Sequence, residues 1–102
     1  MTFKELHYFL ALARVGSYKD AAKACGVTQS TLSLMVQKLE RDLGVTLFAR
    51  DAKQVTLTPI GRRLKSNAAS VVEGAGQMRR LAQKFRDDTL KQKTRSGRRS
   101  KP

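Results

Sequence analysis

The chain has one cysteine and one histidine in 102 residues. A single cysteine excludes a disulfide framework and any multi-cysteine metal site, and a single histidine weakens the case for zinc or histidine-based catalysis. Acidic residues are scarce too: eight Asp and Glu stand against 21 Lys and Arg, a formal net charge of +13. There is no paired carboxylate, no nucleophile–base set and no glycine-rich phosphate loop, so neither an enzymatic activity nor a cofactor is expected. Long apolar runs are also missing. None approaches the ~20 residues that a bilayer span requires. Met1 leads into Thr2-Phe3-Lys4-Glu5 without the apolar stretch of a secretory signal. The expectation is a cytoplasmic protein with a reduced thiol and no membrane partner.

What the chain does have is 40% hydrophobic residues, too many for a disordered basic tail and enough for one small core. An excess of positive charge opposes compaction by self-repulsion, and its usual counterpart is a polyanion, either nucleic acid or an acidic membrane surface. The charge is unevenly placed. Residues 1–58 carry a net +3, whereas residues 59–102 carry a net +10. The last twelve residues, KQKTRSGRRSKP, contain no acid and no aliphatic side chain. They predict a disordered basic tail over 91–102, either a solubilising end or an arm that follows phosphates.

Helix signals dominate the first half. Thr2 and Glu5 have the spacing of a capping box, and Phe3, Leu6, Leu10 and Ala13 then recur at helical intervals up to Gly16. Ser17 with Asp20 opens a short helix, roughly Tyr18 to Ala24, that Gly26 ends. Thr28 caps a third helix, in which Leu32, Val36, Leu39 and Leu43 form one apolar stripe that Gly44 closes. Beyond Val45 the pattern turns β-prone. Residues 46–50 and 54–57 flank the polar turn Asp51-Ala52-Lys53 and predict a hairpin docked through Leu47, Phe48, Val55 and Leu57. Thr58-Pro59 then starts a long helix that is expected to end near Phe85 or Leu90.

Two helices joined by a tight glycine turn fit a helix-turn-helix. Ala22 must be small for the helices to cross closely, Gly26 must adopt a backbone conformation open to few other residues, and Val27, Leu32 and Val36 hold the pair on the core. The polar arc of the third helix could then lie in a DNA major groove. Gln29, Ser33 and Gln37 are able to hydrogen-bond base edges, and Lys38 and Arg41 can reach phosphates. The same spacing also fits an ordinary amphipathic helix with a solvated face. The hairpin bears on that choice: placed after such a helix it is a wing, and Arg50 and Lys53 near its tip suit a minor groove or flanking phosphates.

These residues resemble the N-terminal winged helix-turn-helix of the LysR-type bacterial transcriptional regulators. The resemblance rests on Phe9, Ala11, Ala13, Gly16-Ser17, Ala21-Ala22, Val27-Thr28-Gln29, Ser33, Leu39-Glu40, Leu43-Gly44, Leu47-Phe48, Arg50, Val55, Leu57-Thr58 and Gly61. It covers Phe3 to about Phe85 without a gap. It implies a mainly α fold of three helices and a two-stranded wing (1–58), followed by a long linker and dimerisation helix (59–90). It also implies that Gln29, Ser30, Ser33 and Leu34 read bases, that Ser17, Thr28, Thr31 and Lys38 contact phosphates, and that Arg50 and Lys53 are wing contacts. Four positions depart from the pattern. Leu34 and Met35 stand where the family commonly has polar or basic residues; Leu34 either packs on a thymine methyl or is a tolerated exposed leucine. Ser30 replaces a frequent proline, and Cys25 replaces a leucine and is expected to serve as a small core hydrophobe. The effector domain that family members normally carry is not in this chain, so no small-molecule effector site is expected here.

In the long helix, Leu64, Ala68, Val71, Ala75, Met78, Ala82 and Phe85 step alternately by four and three, a heptad seam with alanine at each a-like position. The seam predicts a homodimer, antiparallel as the resemblance implies, on dyad-related DNA half-sites. Two alternatives remain open at this point: mixed dimers that modulate longer relatives, and non-specific nucleoid-type binding driven by the tail.

Overall fold

The computed structural model describes residues 1–51 and 54–96. Its elements are α1 (Phe3–Val15), α2 (Tyr18–Cys25), α3 (Gln29–Leu43), β1 (Phe48–Arg50), β2 (Val55–Leu57) and α4 (Pro59–Ser96). This is the mainly α winged helix-turn-helix followed by a long helix. The local signals act as expected. Thr2 and Glu5 complete the capping box of α1, Ser17 Oγ accepts the Asp20 N–H, and Thr28 Oγ1 accepts the Thr31 N–H. Gly26 ends α2 at φ 68°, a left-handed conformation that costs an L side chain about 1 kcal/mol or more.

The chain divides into two units, Met1–Val72 and a second beginning at Glu73. The core belongs to the first. Phe9, Leu12, Leu32, Val36, Leu39 and Leu47 are at most 1% exposed, and the Phe9 and Phe48 rings meet edge to face at 5.6 Å. Such a pair contributes about 0.5–1.5 kcal/mol beyond its buried area. Ala21 and Ala22 are buried where α2 packs on α1 and α3. Cys25 and Met35 are half-buried against this core, so Met35 is a packing residue and not part of the polar face.

The wing is shorter than predicted. β1 and β2 pair antiparallel with Phe48 opposite Leu57, Ala49 opposite Thr56 and Arg50 opposite Val55. Thr46 and Leu47 are not part of β1, although the Thr58 N–H donates to Leu47 O at 2.9 Å in the same register: the Leu47 N–H is taken by the Glu40 carboxylate at 2.7 Å, and the Thr58 hydroxyl donates to Thr46 O at 2.7 Å. Helix α4 corrects the expected tail boundary, since it continues through Ser96 rather than ending by Leu90. Lysine and glutamine are good helix formers, and no glycine or proline interrupts the chain between Leu90 and Ser96. The remainder of the expected tail, 97–102, lies outside the described residues. Among the described residues, no helix is long and apolar enough to cross a membrane.

Candidate nucleic-acid interface

Helix α3 has two faces of opposite character. Leu32, Val36 and Leu39 are at most 1% exposed and fix its orientation on the core. On the other side Gln29, Ser30, Thr31, Leu34, Gln37, Lys38 and Arg41 are exposed, and Ser33 is half-buried. Ser30, Leu34 and Lys38 recur at four-residue intervals, as do Gln29, Ser33, Gln37 and Arg41, so the expected base-facing set shares one surface. Among the described residues neither the Gln29 amide nor the Ser30 hydroxyl has a hydrogen-bond partner. Gln37 Nε2 reaches Ser33 Oγ only at 3.5 Å. Leu34 is 62% exposed in the middle of this surface.

Two hydroxyls at the helix starts, those of Thr31 and Ser17, keep donor capacity. Thr28 Oγ1 donates to Thr31 Oγ1 at 2.9 Å, which leaves the Thr31 hydroxyl hydrogen directed elsewhere. Ser17 Oγ accepts from Asp20 N at 3.2 Å and retains its own O–H as a donor. Lys38 is less independent than its sequence position suggests: its ammonium lies 4.0 Å from the carboxylate of Glu5, a residue only 1% exposed. Glu5 Oε1 also accepts the Thr2 N–H. The chain's amino group lies 2.6 Å from Asp42 Oδ2. That hydrogen bond raises the amine's pKa and holds the Asp42 carboxyl below its ordinary value, tying the start of α1 to the end of α3.

The wing is anchored to three elements. Val55 N donates to Gly16 O at 3.1 Å, which joins β2 to the α1–α2 turn. Arg50, expected near the wing tip, stands within β1 with its guanidinium 4.9 Å from the centre of the Tyr18 ring. It is a strand residue stacked toward α2. Lys53, the other expected wing contact, lies outside the described residues. The third anchor was missed in the sequence. Glu40 Oε2 accepts the Leu47 N–H at 2.7 Å and the Phe48 N–H at 3.3 Å. A usable signal existed, because a carboxylate in the last turn of a helix faces the negative end of its dipole and therefore needs a partner elsewhere.

In the expected dimer seam, Ala68 is 4% exposed and Leu64 is half-buried, both packed in the protomer's own core. Ala68 is therefore a core residue of its own protomer rather than a partner-facing one, while Leu64 packs against that core and keeps part of its surface exposed. In the second unit Met78 and Phe85 are 72% and 71% exposed, and Ala82 is exposed as well. Val71, at the end of the first unit, is 51% exposed, and Ala75 is half-buried.

Residues 3–62 match the model of the lysR family of bacterial regulatory helix-turn-helix proteins. The chain belongs to the LysR family. It is 38% identical over 77 residues to the HTH-type transcriptional regulator TcbR of a Pseudomonas species, covering 76% of this chain and 26% of TcbR. Among solved structures, full-length OxyR from Pseudomonas aeruginosa, a cysteine-to-aspartate variant, matches with 44% identity and a TM-score of 0.78 over 81% of this chain and 28% of that one. The CbnR DNA-binding domain in complex with DNA matches with 34% identity and a TM-score of 0.78, covering 83% of this chain and 98% of that one. This LysR-family chain thus carries the family's DNA-binding domain and spans about a quarter of the length of the curated relatives it matches.

Proposed function

We propose that this LysR-family domain controls transcription by sequence-specific binding to double-stranded DNA, with α3 in the major groove. The observation that carries this reading is the outward face of α3, where the Gln29 amide and the Ser30 hydroxyl have no hydrogen-bond partner among the described residues and lie on a helix held by three buried side chains. Unengaged donors and acceptors on a fixed helix are what base-edge recognition requires. Gln29, Ser30, Ser33, Leu34 and Gln37 face the bases, with Leu34 against a thymine methyl. Ser17, Thr28, Thr31, Lys38 and Arg41 face phosphates, and Arg50 and Lys53 serve the wing. Ser17 and Thr31 are the better hydroxyl donors, since Thr28 is committed to its cap.

Val71, Ala75, Met78, Ala82 and Phe85 pair two copies through α4, presenting two recognition helices to dyad-related half-sites. The role is one of binding, not catalysis, and is carried out in the cytoplasm. Selection of bound sequences from random duplex DNA tests the reading. A dyad-symmetric motif with half-sites about one helical turn apart is expected. Affinity should fall with salt at a log–log slope of about −0.9 per phosphate neutralised. An unstructured pool after selection would contradict it.

A further inference from the structure

We infer that Glu40 is a positioning residue that sets the wing relative to the recognition helix, and so fixes which flanking groove is contacted when α3 is seated on its bases. The inference rests on the reading that α3 and the wing both meet DNA. Its physical basis is the way Leu47, the residue that enters the wing, is held from two sides. On one side its N–H, with that of Phe48, donates to the Glu40 carboxylate at 2.7 and 3.3 Å. These are charge-assisted bonds, stronger than neutral ones. On the other side its carbonyl accepts from Thr58 N at 2.9 Å and from Thr58 Oγ1 at 3.2 Å. The start of α4 also closes over that carbonyl, because a Cβ on Gly61 would fall 2.3 Å from Leu47 O.

Glu40 itself cannot shift freely. Its own carbonyl accepts the Gly44 and Val45 N–H groups at 2.8 and 3.2 Å, and Leu39 beside it is fully buried. One residue of α3 therefore closes its own helix end and, seven residues later, grips the strand entering the wing. The polar face of α3 and the wing are thereby fixed as one body. Glu40 itself contacts neither base nor phosphate; it acts through the wing.

The test uses the full chain and a duplex selected by the wild-type protein, read by hydroxyl-radical footprinting together with affinity. Glu40→Ala should weaken binding to the complete site about tenfold, the worth of one charge-assisted hydrogen bond. It should lose protection at the flank while keeping protection of the core and the ranking of core base changes. Loss of core and flank protection together, or an unchanged footprint in a folded variant, would overturn the proposal. Should the alanine variant fail to fold, Glu40→Asp keeps the charge but is one methylene too short. It should displace or weaken flank protection selectively, and a wild-type footprint from it would equally overturn the assignment. Failure of the underlying DNA reading is distinguishable, because the wild-type chain itself would then leave no flank protection.

Discussion

The two units of this chain solve different problems. Between Met1 and Val72, apolar side chains find partners within the protomer: Phe9, Leu12, Leu32, Leu39 and Leu47 are nearly inaccessible. From Glu73 onward, Met78, Leu81 and Phe85 are about as exposed as side chains on an isolated helix can be, at 72%, 69% and 71%. The ion pair between Arg80 and Glu73 in this unit, at 3.1 Å, is exposed and worth at most about 1 kcal/mol. The first unit has what it needs to fold alone. The second presents an apolar surface that soluble monomers rarely leave uncovered, which is the ground for proposing that it pairs two copies while the first reads DNA.

The largest expected effect lies in the first unit. Leu39→Ala should cost it ~2–5 kcal/mol of stability in denaturant unfolding, whereas Leu81→Ala at concentrations that keep the chain monomeric should stay within about 0.5 kcal/mol of wild type. Similar losses from both would erase the distinction between the units. Gly61→Ala comes next. Its Cβ would meet the Leu47 carbonyl at 2.3 Å, so a loss of ~1–3 kcal/mol is expected from the forced backbone shift. A neutral result would mean that the wing root is loosely held. Ala75→Glu should leave unfolding of the first unit unchanged but convert dimers to monomers in sedimentation; an unaltered mass would refute the seam. The smallest effect belongs to Gly74→Ala. A Cβ there meets nothing within the protomer, so the helix should gain ~1 kcal/mol. Self-association should nevertheless weaken if another backbone approaches at that point.

The features legible in the sequence were those set by neighbours in the chain. Thr2 with Glu5, Ser17 with Asp20 and the glycines after α1, α2 and α3 are local signals, and each helix begins and ends where they indicate. The outward face of α3 followed from its apolar stripe. What escaped depends on contacts between distant residues. Strand β1 starts at Phe48 because Glu40 takes the Leu47 N–H that would otherwise return the bond to Thr58 opposite it. Arg50 turns toward Tyr18, an aromatic 32 positions earlier whose neighbourhood no spacing reveals. Lys38 shares its charge with Glu5, whose burial could not be inferred from its role in a cap. The end of α4 lies beyond the expected one because a run of cations suggests disorder, although its lysines, glutamine and arginine are good helix formers.

On the proposed reading, the outward side chains of α3 distinguish one DNA sequence from another. Its most direct test compares wild type with Gln29→Ala on a selected duplex and on an unrelated duplex, at one salt concentration. A loss of ~1–3 kcal/mol is expected on the selected site, with little change on the unrelated one. Equal losses on both duplexes would contradict it and reduce α3 to a charged surface.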